Sequence, residues 1–224
     1  MKRIYLIGGS KGGVGKSLVS SGLVDHLQTL GEKVLLIDAD TSNPDVFKAY
    51  NKEVTSEYID LDNADGWIEL VNLCDQHFDS VVVINTPARN NESVKAYGET
   101  LNSTLAELKR ELVTFWVINR QRDSLELLQK YMEALPSQLH VIRNGHFGEA
   151  SKFELYESSK IKKSVEEKGL SLQFPDLADR VSDDLYTKRL SISKALVDLP
   201  IGNRAELSRW RNEVRRMFAQ VIKG

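Results

Sequence analysis

Apolar residues gather in short continuous runs, separated by longer stretches in which they recur every three or four positions. The runs are IYLI (4–7), VLLI (34–37), VVVI (81–84), VTFWVI (113–118), LHVI (139–142) and LSLQF (170–174). A run without polar alternation predicts a strand covered on both faces, as in a parallel sheet between helices. Helical spacing falls at 16–30, 65–77, 91–110, 124–135, 157–168, 178–188 and 204–222. In the first of these, Val19, Leu23, Leu27 and Leu30 share one face and Gly31 supplies a stop. Asp123 with Glu126 three residues on predicts a capped helix start, and Pro136 closes the far end. The polar stretch 143–160, RNGHFGEASKFELYESSK, predicts a long surface loop. The alternation implies an α/β fold, a doubly wound, mostly parallel sheet with helices on both faces. It forms one domain over 1–224, with ligands expected at the carboxyl ends of the strands.

Composition narrows the function classes. Thirty Lys and Arg against 32 Asp and Glu give a formal charge of -2, so the whole molecule is no polycation and any basic surface is local. Cys74 is the only cysteine, which excludes a disulfide framework and any cluster needing several thiolates from one chain. No apolar run approaches the length of a leader core or a membrane span, so a soluble, cytoplasmic protein is expected. His77, His140 and His146 lack metal-ligand spacing. Trp116 and Cys74 read as core, and Phe147 and Phe153 as packing residues or the lining of a partner groove.

The chemistry concentrates in SKGGVGKS, residues 10–17, between the first strand and the first helix. Gly12, Gly13 and Gly15 permit positive φ and let backbone N–H groups approach phosphate oxygens. The helix N-terminus adds its dipole. Lys16 is placed to reach β and γ phosphates and Ser17 to ligate Mg²⁺. Ser10 stands where the usual motif has glycine, and Lys11 is an additional cation.

Lys11 to Ser17 resembles the deviant phosphate loop of the ParA/MinD superfamily of P-loop ATPases. The resemblance implies that Lys11 reaches across a homodimer to the partner's nucleotide, with ATP and Mg²⁺ as cofactors. It extends to VLLIDAD, where Asp38 and Asp40 match an acidic motif and Asp38 is implied to position the attacking water and the metal's ligands. DSVVVINTPA (79–88) matches the Walker B strand, and Asn144, Pro175 and Asp176 match positions that bracket adenine. The implied nucleotide set is Gly12, Gly13, Val14, Gly15, Lys16, Ser17, Leu18, Asn144, Pro175 and Asp176. The implied metal set is Ser17, Asp38 and Asn85, and the implied catalytic set Lys11, Lys16 and Asp38. Asn85 departs from the family's usual aspartate, and its neutral amide predicts weaker metal binding and slow or lost turnover.

Chain length and the lack of an N-terminal DNA-binding extension look most like short plasmid-borne members concerned with partition, stability or conjugal transfer. The expected function is an ATP-driven switch that dimerises, visits DNA or an adaptor protein, and is released by slow hydrolysis. Two alternatives share the fold: a non-hydrolysing nucleotide-binding adaptor, favoured by Asn85, and an ATP-dependent metabolic ligase, a group that usually lacks the Lys11-type lysine. An electron-transfer member resembling the nitrogenase iron protein is excluded by the single cysteine. Near the C-terminus, Leu207, Trp210, Val214, Met217 and Val221 form an apolar stripe, with Asn203 and Glu206 as a cap. Docking of that stripe on the domain would leave Arg209, Arg211, Arg215, Arg216 and Lys223 to meet water or DNA phosphates. The alternative is an interfacial membrane helix.

Overall fold

The strands are β1 (Lys2–Gly9), β2 (Val34–Asp38), β3 (Thr55–Tyr58), β4 (Val81–Asn85), β5 (Arg110–Ile118), β6 (Gln138–Asn144) and β7 (Ser171–Phe174). They form one sheet in the order β3-β2-β4-β1-β5-β6-β7, and every neighbouring pair is parallel. This is a computed structural model, and it describes residues 1–9, 11–88 and 91–222. Ser10 and Lys223, both singled out in the sequence, lie outside the described residues.

Continuous apolar strands follow from burial on both sides. In β1, Tyr5 and Ile7 enter one core while Ile4 and Leu6 enter the other, and all four are at most 2% exposed. The first core lies under α1 (Lys16–Thr29), α2 (Asp45–Tyr50), α8 (Asp179–Lys188), α9 (Ile192–Asp198) and α10 (Ile201–Phe218). The second lies under α3 (Ala64–Gln76), α4 (Asn91–Asn102), α5 (Arg122–Ala134), α6 (Glu154–Glu157) and α7 (Lys160–Glu166). Trp116 and Cys74 belong to the second core, as expected, and burial pushes the Cys74 thiol up to about 11.

The expected elements and the observed ones differ where side-chain pattern is weak. Helix α2, edge strand β3 and helix α9 run only 6, 4 and 7 residues, too short for either period to register. The helix from 91 ends at Asn102, and the chain turns through Lys109, at φ 53, into β5. The helix expected over 157–168 is broken at Ser158 and Ser159, where the Ser159 hydroxyl caps α7 by accepting the Lys162 N–H. The stretch 143–160 is no open loop, because two 3-10 turns and α6 send Phe153 and Tyr156 into the core. Neither expected cap forms. Gln121 precedes α5 and Asp123 is drawn to Lys11, while Pro200 starts α10 and Asn203 donates to Asp184.

The apolar stripe of α10 is docked. Leu207, Trp210, Val214, Met217 and Phe218 are buried in the first core. Val214 sits so close to α1 that a Cβ on Gly22 would stand 2.9 Å from its Cγ1. The face available for a membrane interface is therefore used internally. Among the described residues, no helix is long and apolar enough to cross a membrane.

Candidate functional site

Chain order reverses around β1, which lies between β4 and β5, so α1 starts where a doubly wound sheet opens a crevice at its carboxyl edge. Gly13 (φ 77) and Gly15 (φ 100, ψ 16) take left-handed backbone in the turn that launches α1. Among the described residues nothing stands within 4 Å of where a Cβ on Gly12 or Gly13 would lie, so that side of the loop is open to a ligand. Gly15 is confined instead, since its Cβ would fall 2.3 Å from Asn144 Nδ2.

The loop borders an open cleft of about 510 Å³. Of the expected residues, Gly12, Gly13, Gly15, Lys16, Ser17, Leu18, Asn144, Pro175 and Asp176 all line it. Val14 is buried beneath, 1% exposed, and takes part through its backbone carbonyl. Lys16 is 7% exposed, and its ammonium donates to the Lys11 carbonyl at 3.1 Å. Burial draws its pKa down to about 8, partly opposed by Asp40. Among the described residues the ammonium is held by a carbonyl and contacts no carboxylate, and an anion such as a phosphate would compensate its charge at the start of α1.

Two expected metal residues are not at the cleft. Asp38 and Asn85 are at most 1% exposed, and of the acids in the VLLIDAD motif it is Asp40 that lines the cleft. The reason is local hydrogen bonding. Asp38 Oδ2 accepts from Val46 and Phe47 N–H at 3.1 and 3.0 Å, satisfying orphan donors at the start of α2. Its Oδ1 accepts from Asn85 Nδ2 at 2.9 Å and from Asp40 N–H at 3.3 Å. Asn85 Oδ1 in turn accepts from Ser20 at 3.0 Å. An amide suits this position because it donates to a carboxylate and accepts a hydroxyl at once, which aspartate cannot do while ionised. Burial pushes the Asp38 carboxyl up, against the pull of its donors.

Lys11 also has an assigned partner within its own chain. Its ammonium donates to Asp123 at 2.6 Å and to Gln121 at 3.4 Å, at the start of α5. Six cleft residues had no motif to announce them: Asn43 and Asp45 at the start of α2, Leu177 before α8, and Asp179, Ser182 and Tyr186 on α8. Asp179, Ser182 and Tyr186 recur at three- and four-residue spacing after Pro175, which is the signal that marks one helical face. Among the described residues no group of three or more His, Cys, Asp or Glu is arranged to hold a metal alone. A divalent cation here would therefore rely on Ser17, a single carboxylate such as Asp40, and a ligand's own oxygens.

The C-terminal arginines are largely spoken for. Arg211 grips buried Asp25 on α1 with Nε at 2.8 Å and Nη2 at 2.7 Å, and Arg215 stands 3.6 Å from the same carboxylate. Arg209 pairs with Glu206 and Glu213. Arg216 is exposed and in no ion pair among the described residues. Phe147 lines a groove near Gln121, whereas Phe153 is core.

Comparison with known proteins agrees with this geometry. Residues 5–167 match the family model for the CobQ/CobB/MinD/ParA nucleotide binding domain. The chain is 69% identical over 223 residues to Protein MobD of Acidithiobacillus ferrooxidans, covering 99% of this chain and 98% of that protein. It is 32% identical over 112 residues to the septum site-determining protein MinD of Synechocystis sp., 49% of this chain and 41% of that one. The solved MinD cell division protein of Aquifex aeolicus superposes with a TM-score of 0.55 at 15% identity over 98% of each chain, a likeness of fold.

Proposed function

The chain belongs to the CobQ/CobB/MinD/ParA nucleotide binding domain family, and on that premise we propose that it is a ParA/MinD-like ATPase. It binds ATP with Mg²⁺, forms a nucleotide-sandwich homodimer, and acts as a slow switch in plasmid or DNA partition or transfer through an adaptor protein. One observation carries the proposal: Lys16, a buried ammonium whose only hydrogen-bond partner among the described residues is a carbonyl, sits within a glycine loop that is open where Gly12 and Gly13 would bear side chains.

Each residue then has a task. The N–H groups of the loop and the α1 N-terminus orient the phosphates, and Lys16 neutralises them. Ser17, with Asp40 at the cleft, would hold Mg²⁺, which when bound spreads phosphate charge and polarises the bond to be cleaved. Asp38 acts one step back. It fixes the start of α2 and thereby Asn43 and Asp45 at the cleft rim. Lys11 must leave Asp123 before it can reach a second subunit.

Sedimentation velocity with and without ATP and Mg²⁺, run beside phosphate release, tests the proposal. The expected result is an ATP-dependent dimer with slow release, no nucleotide binding in Lys16→Ala, and binding without dimerisation in Lys11→Ala. A second reading, a non-hydrolysing adaptor, is favoured by the engagement of buried Asn85 between Asp38 and Ser20, outside the residues that line the cleft. An ATP-dependent dimer with no phosphate release would select it. A constant mass with or without ATP and Mg²⁺ would remove the switch altogether.

A further inference from the structure

Asn144 ends β6, is 6% exposed, and has a protein partner at each polar atom of its side chain. Nδ2 donates to the Val14 carbonyl at 2.8 Å, and Oδ1 accepts the His146 N–H at 3.1 Å. One amide thus ties the glycine loop, 130 residues away in sequence, to the turn after β6. The Val14 carbonyl belongs to the peptide leading into Gly15, whose φ of 100 sets the direction of the N–H groups behind it. Gly15 also leaves the space that the Asn144 amide fills.

The far side of the turn is equally fixed. A Cβ on Gly145 would lie 2.5 Å from the Phe174 carbonyl and 2.9 Å from the Asp176 nitrogen, so the turn is packed against the segment following β7. His146 Nδ1 stands 3.5 Å from Asp176 Oδ1. The loop expected at the phosphates is thus hydrogen-bonded through Asn144 to the turn after β6, and that turn is packed against the rim at Pro175 and Asp176.

We propose that Asn144 is a positioning residue for the phosphate loop: by donating to the Val14 carbonyl it holds the loop in the conformation that receives phosphate, whatever base the ligand carries. This rests on the proposal that the loop takes a nucleotide, and it differs from a role in reading adenine. A residue that reads the base matters only to ligands that have one. A residue that shapes the loop matters to the bare phosphate chain as well.

The test is calorimetric titration of wild type, Asn144→Ala and Asn144→Asp with two probes, Mg-ATP and Mg-tripolyphosphate, at pH 8 and pH 5, with thermal melts as a folding check. Asn144→Ala is expected to weaken both probes by the same factor, about tenfold for one lost hydrogen bond with its acceptor left unpaired. Asn144→Asp should be weaker still at pH 8, where an ionised oxygen faces the Val14 carbonyl. It should recover relative to wild type at pH 5, because burial against the Val14 carbonyl raises the new carboxyl and its protonated form donates in place of the amide. Loss confined to ATP would overturn the proposal in favour of base reading. Unchanged affinities, or a ratio of Asn144→Asp to Asn144→Ala that does not move with pH, would overturn it too. Wild type binding neither probe would overturn the nucleotide site itself, and this inference with it.

Discussion

Replacing Asn85 with aspartate puts a carboxylate where an amide now donates to Asp38 at 2.9 Å. Two ionised carboxylates at that separation repel by about 6 kcal/mol at an effective dielectric of ~20. Protonating one of them instead costs about 4 kcal/mol at pH 7, starting from an ordinary carboxyl pKa near ~3.9. The cheaper route wins, so the pair retains one proton, and the new carboxyl has a folded-state pKa far above its unfolded one. The sign follows from proton binding. Below about pH 3.9 both states are protonated and nothing is lost, while stability declines as pH rises toward the folded pKa. Asn85→Asp should therefore unfold with a deficit of about 4 kcal/mol at pH 7, shrinking to about 1.5 kcal/mol at pH 5. Urea unfolding followed by circular dichroism reads this directly, as a midpoint lowered by about 1.3 M at pH 7 if m is near ~3 kcal/mol/M. A deficit under about 1 kcal/mol at pH 7, or one that is flat between pH 5 and 7, would refute the Asn85–Asp38 hydrogen bond as the device that keeps Asp38 charged and α2 in place.

Other expectations follow from the same geometry. Lys16 loses its proton near pH 8 in the free protein, so affinity for Mg-ATP should fall about tenfold per pH unit above that value, and a pH-independent affinity would show that its charge is not used. Asp123→Asn frees Lys11 from an exposed ion pair, and ATP-dependent dimerisation measured by sedimentation equilibrium should tighten by about two- to fivefold; unchanged dimerisation would show that Asp123 does not compete for the lysine. Buried His140 is held down to about 4 by desolvation and Arg3, and its Nδ1 accepts the Leu170 N–H. Because the unfolded chain binds that proton more readily, stability should be full above about pH 6.5 and decline as pH falls toward 4; an NMR titration finding an ordinary pKa for His140 would contradict this.

Six of the seven strands, their alternation with helices, and the loop with its three glycines and Lys16 were legible in the sequence because each is a local signal. An unbroken apolar run means burial on both faces, and a glycine loop between strand and helix has few other uses. The destinations of individual side chains were not legible. Asp38 and Asp40 are two residues apart on one strand end, yet pairing fixes Asp38 on the N–H groups of α2 and leaves Asp40 at the cleft. Lys11 meets Asp123, Asn144 meets Val14, and Arg211 meets Asp25 across separations of 112, 130 and 186 residues. A basic stripe read along one helix cannot foresee that a buried aspartate on another will absorb two of its charges. Sequence period sets which residues are covered, since covering depends on the near neighbours of each strand and helix. Which polar group answers which is decided only when the sheet brings distant loops to a single edge and burial makes an unpaired donor or charge too costly to keep.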